Sequence, residues 1–94
     1  MIDTHRRAVE DTLQLLQALE AARKDALKRL KEIRRAENER YENLRPRDRN
    51  GAEGALIEIS NRHLKYAANR LKEAGLNVAE ATYSLHDALD EEEA

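Results

Sequence analysis

The 94-residue sequence contains no cysteine, phenylalanine or tryptophan. Without cysteine the chain can form neither a disulfide framework nor a thiolate zinc site, and nothing in its composition indicates an oxidising compartment. No apolar run approaches the roughly 20 residues that span a bilayer, and the first residues lack the apolar core of a signal peptide. We therefore expect a soluble, cytoplasmic protein that does not bind membranes.

Large apolar residues are also scarce. Leucine, isoleucine and valine supply 19 of the 94 residues, and three tyrosines are the only aromatic side chains. A core this thin must offset a conformational entropy cost of about 1.5 kcal/mol for each ordered residue. Small single domains bury a modest fraction of their surface, and contacts between chains bury more. The composition therefore favours a homodimer or a higher oligomer.

Helix-forming residues dominate the chain. Alanine, glutamate, lysine, leucine and arginine account for 58 of the 94 residues, as is typical of long helices and coiled coils. Helix breakers occur in only two places, at Pro46 with Gly51 and Gly54, and at Gly75. Gly75 fits the left-handed position after a helix, and Asn77 with Glu80 forms a capping box that starts another.

These signals predict one all-α domain of residues 1–94, in which one very long helix and two shorter ones form an oligomeric helical bundle. The predicted segments are a helix over 3–43, an Arg-rich turn over 44–51, helices over 52–74 and 77–90, and an acidic tail over 91–94. Whether the connection at Gly75 makes a hairpin or a bend stays open.

The first helix has an apolar stripe that we expect to be buried. Its members are Val9, Leu16, Leu19, Leu27, Leu30, Ile33, Tyr41 and Leu44. The two shorter helices cannot cover this helix along its whole length if Gly75 makes a hairpin. The uncovered part then needs a second copy or another protein, and the predicted interface residues are Leu15, Leu16, Leu19, Leu27 and Leu30.

Three charged residues, Arg23, Arg34 and Glu37, fall inside this apolar stripe. A desolvated guanidinium is costly unless a carboxylate or an anionic ligand faces it. One interpretation is a structural ion pair such as Arg34 with Glu37. The other is an anion pocket lined by Arg23 and Arg34 and completed by another helix or subunit.

The turn before the second helix is a second candidate for anion binding. Arg45, Arg47 and Arg49 precede a helix N-terminus, where free amides and the helix dipole favour phosphate or carboxylate. The alternative is a solvated loop in which Asp48 neutralises one arginine. Nucleic-acid binding is not expected, because the net charge is -2 and no aromatic cluster could stack bases.

The sequence indicates no metal, no cofactor and no catalytic residues. None of His5, His63 and His86 has a second histidine or a cysteine three or four residues away. Ser60 and His63 share a helix face but lack an orienting acid.

The first helix resembles that of the all-helical chorismate mutases. The resemblance rests on the pattern Arg6, Val9 and Glu10, followed by Leu13, Leu16, Leu19 and Arg23, with Arg34 where the family has a catalytic lysine. It implies that Arg6 of one subunit and Arg23 and Arg34 of another hold a substrate dicarboxylate. The chain departs from the family at Gly51 and Ala52, where an Arg-Glu pair is expected, and at Ala88, where the family has glutamine.

Three functions follow from these patterns. The first is a non-enzymatic homo-oligomer that binds another protein as an adaptor or inhibitor. The second is an oligomer that sequesters a small nucleotide-like anion. The candidate residues that would bind this anion are Arg6, Arg23, Arg34, Arg45, Arg47 and Arg49. The third is an enzyme of the chorismate mutase type, which the missing Arg-Glu pair predicts to be weak or inactive.

Overall fold

A computed structural model describes residues 3–93, with side chains as far as Glu91. Three helices and no strand are found in this part of the chain. They are α1 (Asp3–Glu42), α2 (Pro46–Arg49) and α3 (Ala52–Glu93). The all-α prediction is confirmed. The structure also has three helices, but they are not the three predicted, because α2 lies inside the predicted turn and α3 replaces both of the predicted shorter helices. The helices that follow α1 are divided differently from the prediction.

Helix α1 ends within one residue of its predicted limit. Its 40 residues contain no glycine or proline, with Asp3 in the first turn and Arg40 in the last, as the helix dipole favours. The chain then turns, because Arg45 precedes Pro46 and adopts extended dihedrals, with φ at -63° and ψ at 149°. The predicted turn over 44–51 contains the single helical turn α2, which starts at Pro46.

Helix α3 runs through Gly75 without interruption, so the predicted separate helices over 52–74 and 77–90 are wrong. No glycine in the described chain has a positive φ, and Gly75 therefore lies in the helix rather than at its left-handed end. One helical glycine costs only about 1 kcal/mol relative to alanine, which the packing of a long helix can offset. Gly75 makes neither a hairpin nor a bend.

The predicted acidic tail over 91–94 is also corrected. Helix α3 continues to Glu93, whereas Ala94 lies outside the described residues. Glutamate is a good helix former, and negative charge near a helix C-terminus costs only about 0.3–1 kcal/mol. The helical preference of these residues therefore outweighs the unfavourable dipole.

The helices contribute to two compact units. We call residues 25–72 the central unit, and residues 1–24 with 73–94 the terminal unit. In the central unit α1 and α3 run antiparallel on either side of the turn. Ile57 is only 2% exposed, and Asn61 donates a hydrogen bond of 2.9 Å to Asn38. Because Gly54 has no side chain, the backbone of Arg49 can pack closely against it; a Cβ atom at Gly54 would lie 2.0 Å from the Arg49 carbonyl oxygen.

The terminal unit has little core. Leu13 is its only buried apolar side chain among the described residues, and the predicted stripe did not include it. Leu19 in this unit and Ile33 in the central unit, both predicted to be buried, are 53% and 47% exposed. The reason is that each unit packs α1 against only one other long helix, which covers a narrower face than two would. No helix in the described residues is apolar over a length that could cross a membrane.

Candidate functional site

Arg23 is the arginine most enclosed by the terminal unit. Its Nε lies 3.0 and 3.2 Å from the two carboxylate oxygens of Glu20, and its Nη2 also donates to Glu20. The guanidinium lies against the backbone of Gly75 on α3. The sequence predicted that the Arg23 guanidinium binds an anion, but in the structure it already forms a bidentate ion pair within α1. The spacing of three residues between Glu20 and Arg23 was the signal for it.

The pair changes the titration of both partners. The hydrogen bond from Arg23 lowers the pKa of the Glu20 carboxyl, with smaller contributions from the positive charges of Arg23 and Lys24, while partial desolvation opposes the shift. The same hydrogen bond raises the pKa of the Arg23 guanidinium. Both shifts favour the charged forms, so the ion pair is intact at neutral pH.

An open groove of about 470 Å³ adjoins this pair in the terminal unit. Its apolar wall includes Leu16, Val78 and Tyr83, and His86 lies at its edge. The hydroxyl of Thr82 also lines the groove, but it donates 2.8 Å to the carbonyl oxygen of Val78. Tyr83 is 71% exposed, so this groove is a shallow apolar surface rather than an enclosed pocket.

Arg34 lies in the central unit, half-buried, and the predicted ion pair with Glu37 is wrong. Glu37 instead lies 3.9 Å from Arg40, which also reaches Glu53 across the helix pair at 3.2 Å. Within the described part of the chain, Arg34 has no carboxylate oxygen within 4.0 Å. Arg40 therefore lies between two carboxylates, that of Glu37 on α1 and that of Glu53 on α3.

Two open grooves share Arg34 and Lys31. The larger, of about 510 Å³, is lined by Leu27, Lys28, Lys31, Arg34, Ala68 and Lys72. The smaller, of about 390 Å³, adds Arg35, Asn38, Glu39 and Glu42 to the shared pair. Sequence reasoning missed these lysines, although Lys28, Lys31 and Arg34 are spaced three residues apart and so share a helix face.

The three arginines of the turn do not converge. Arg49 turns back to the end of α1, where its Nε donates 3.1 Å to the Leu44 carbonyl oxygen and its Nη2 donates to that of Glu42. Its guanidinium also lies 5.9 Å from the ring centre of Tyr41. Arg47 is exposed and 4.0 Å from Asp48, and Arg45 is exposed. Arg49 is therefore a structural cap for α1.

The remaining predicted site residues lie on α1. Arg6 is 3.4 Å from Glu10. Of the predicted interface leucines, Leu15 and Leu19 are exposed, whereas Leu16, Leu27 and Leu30 are half-buried. In the described residues no three histidine or acidic side chains converge to hold a metal ion.

Comparison with protein-family models, curated proteins and solved structures gives no match for this chain. The likeness of α1 to the chorismate mutases therefore stays a prediction.

Proposed function

We propose that the protein is a homodimeric binding module that associates through an apolar seam on α1. The seam consists of Leu15, Leu19, Ala22, Ala26 and Ile33. These residues follow one another at spacings of four, three, four and seven, the pattern of core positions in a coiled coil. The observation that carries the proposal is the exposure of the three large seam residues, because Leu15 is 70%, Leu19 53% and Ile33 47% exposed.

The distribution of charge supports a second copy as the partner. The terminal unit contains four Lys and Arg against eleven Asp and Glu, for a net charge of -7. The central unit contains thirteen against eight, for a net charge of +5. In an antiparallel dimer the terminal unit of each copy faces the central unit of the other. Both pairings are then attractive, and the twofold interface closes at two subunits.

The central unit also has apolar residues to offer a second chain. Leu56, Ile59 and Tyr66 of α3 are all largely exposed, and Arg70 donates two hydrogen bonds to the Tyr66 hydroxyl, at 2.9 and 2.7 Å. Burying apolar side chains of this size contributes about 1.5–3 kcal/mol each. A dimer would supply the burial that the single chain lacks. Adaptor or inhibitor activity toward another protein would then be a property of the dimer.

Sedimentation velocity tests the proposal with a matched pair of variants. Leu15→Glu with Leu19→Glu introduces two negative charges into the seam. Gln14→Glu with Ala18→Glu introduces the same charges at exposed positions of the same helical turns, outside the seam. We expect the wild type to sediment as a dimer and the seam variant to raise the dimer dissociation constant at least about 100-fold. The control should change it far less.

Circular dichroism establishes that both variants remain helical. A monomeric wild type at all practical concentrations would contradict the proposal. Equal dissociation of both variants would also contradict it, since charge rather than the seam would then be responsible. A dimer that weakens as salt rises agrees with the charge argument, because the attraction between exposed charges is screened.

A further inference from the structure

We call the larger groove of the central unit the basic groove. Among the described residues, four cations and no carboxylate line it. Lys28, Lys31 and Arg34 come from α1 and Lys72 from α3, while Leu27 and Ala68 form its apolar floor. Its volume is about 510 Å³. Like charges gathered around one cavity repel each other, and an anion bound there would remove that repulsion.

Within the described residues, the cations of the basic groove also have no acidic partner at ion-pair distance. Elsewhere in the chain Arg23 pairs with Glu20, Arg29 lies 3.1 Å from Asp25, and Arg40 reaches Glu53. None of the four groove cations has a carboxylate oxygen within 4.0 Å among the described residues. Among the four, Arg34 is the one that is half-buried, and burial raises the cost of leaving a charge without a counter-charge.

The composition of the groove defines the chemistry of its ligand. A guanidinium presents a planar fork that matches phosphate oxygens, and each ammonium group adds a compact positive charge. A single phosphate carries about two negative charges at neutral pH, so a ligand with several adjacent phosphoryl groups matches four cations better than one phosphate does. We propose that the basic groove binds a condensed phosphate chain, either as free polyphosphate or as the phosphate part of a nucleotide.

This site is separate from the dimer seam. None of Leu15, Leu19 and Ile33 lines the basic groove, and neither do the exposed apolar residues of α3. The inference therefore goes beyond the proposed function. Replacing two groove lysines leaves every residue of the seam unchanged but lowers the net charge of the central unit from +5 to about +3, so the sedimentation of the groove variant is compared with that of the wild type.

Isothermal titration calorimetry with tripolyphosphate tests the proposal on the full chain. The groove variant is Lys28→Gln with Lys72→Gln. The control is Lys24→Gln with Arg62→Gln, which removes the same charge from exposed positions outside the groove. We expect saturable binding to the wild type, at least about tenfold weaker binding to the groove variant, and a change within about twofold for the control.

A third variant, Arg34→Lys, keeps the charge but removes the planar fork, and it should also weaken binding. Adenosine triphosphate and adenosine distinguish the two sources of the phosphate chain. Tighter binding of the nucleotide than of tripolyphosphate, with no binding of adenosine, assigns a nucleotide. Equal binding assigns the phosphate chain alone.

Three results would overturn the proposal. The first is the absence of saturable binding to the wild type. The second is equal weakening by the groove variant and the control, because binding would then follow net charge. The third is displacement of tripolyphosphate by single-stranded RNA with much higher affinity, since the groove would then belong to a nucleic-acid surface.

Discussion

The guanidinium of Arg23 lies flat against α3 at Gly75, so that a Cβ atom on Gly75 would be 2.7 Å from Cζ of Arg23. Glycine at this position makes room for the side chain of the facing helix. The close approach links the helical conformation of Gly75 to the ion pair between Arg23 and Glu20. It also makes the energetic coupling of Arg23 and Gly75 measurable.

A double-mutant cycle measures that coupling. At an open helical site, Gly→Ala stabilises a protein by about 1 kcal/mol. In the wild-type background Gly75→Ala should stabilise the protein by less than this amount, because the new methyl group displaces the Arg23 guanidinium. In an Arg23→Ala background the full gain should return. Urea denaturation of the four proteins gives the coupling free energy, and additive effects would contradict the contact.

The ion pair also makes stability depend on pH. The pKa of Glu20 is lowered in the folded state. The ionised Glu20 carboxylate therefore contributes fully to the free energy of unfolding above its unfolded pKa of about 4.3. This contribution is lost as the pH falls through the lower pKa of the folded state. Glu20→Gln should lower stability at pH 7, and its difference from the wild type should shrink as the pH falls below about 5. Urea titrations at several pH values measure this, with the exposed Glu32→Gln as the charge control.

Gly51 precedes α3 and Gly54 lies in its first turn, and the two should respond differently to alanine. A Cβ at Gly54 would lie 2.0 Å from the Arg49 carbonyl oxygen and 2.6 Å from its carbon, and these backbone atoms cannot move aside cheaply. Gly54→Ala should cost about 1–3 kcal/mol in unfolding free energy. At Gly51 the nearest atom, the Arg47 carbonyl oxygen, is 3.5 Å away, so Gly51→Ala should be nearly neutral. Thermal unfolding of both variants makes the comparison.

Arg49 should matter more for stability than its neighbour Arg47. Arg49→Ala removes the donors that cap the Leu44 and Glu42 carbonyls, and we expect a loss of about 0.5–1.5 kcal/mol. Arg47→Ala removes a side chain that is 84% exposed and should change stability by less than about 0.5 kcal/mol. Urea denaturation compares them. Equal losses would mean that net charge, and not the cap, determines the effect.

A direct assay for the loss of chorismate tests the enzymatic alternative. Gly51 and Ala52 stand where the chorismate mutases have a charged pair, so we expect no turnover above the uncatalysed rate. Activity that disappears with Arg34→Ala would contradict this expectation and assign catalysis to the central unit.

The sequence predicted α1 because its 40 residues contain no helix breaker and many good helix formers. The prediction that a helix ends at Gly75 was wrong, because glycine can either end a helix or, within a helix, leave space for a side chain of the facing helix. The position of the Arg23 guanidinium against Gly75 agrees with the second of these roles. Local pattern could not supply that position, which depends on the antiparallel register of α1 and α3.

For the candidate sites, too, the sequence pattern predicts some features and only the tertiary structure shows the others. The spacing of Lys28, Lys31 and Arg34 was readable on one helix, but Lys72 joins them only through tertiary structure. The arginines of the turn could be identified as a cluster from sequence, yet Arg49 already donates to the carbonyl groups of Glu42, at the end of α1, and of Leu44, just beyond it. Sequence pattern identifies which charges share a face, and the fold decides which of them remain available.

The opposite charges of the two units have a practical consequence for purification. A net charge of -2 describes neither unit, because one carries -7 and the other +5. Near neutral pH and at low salt, the same protein should be retained by both anion-exchange and cation-exchange resins. Chromatography would then detect the local patches of charge, whereas the isoelectric point depends only on the net charge of the whole chain.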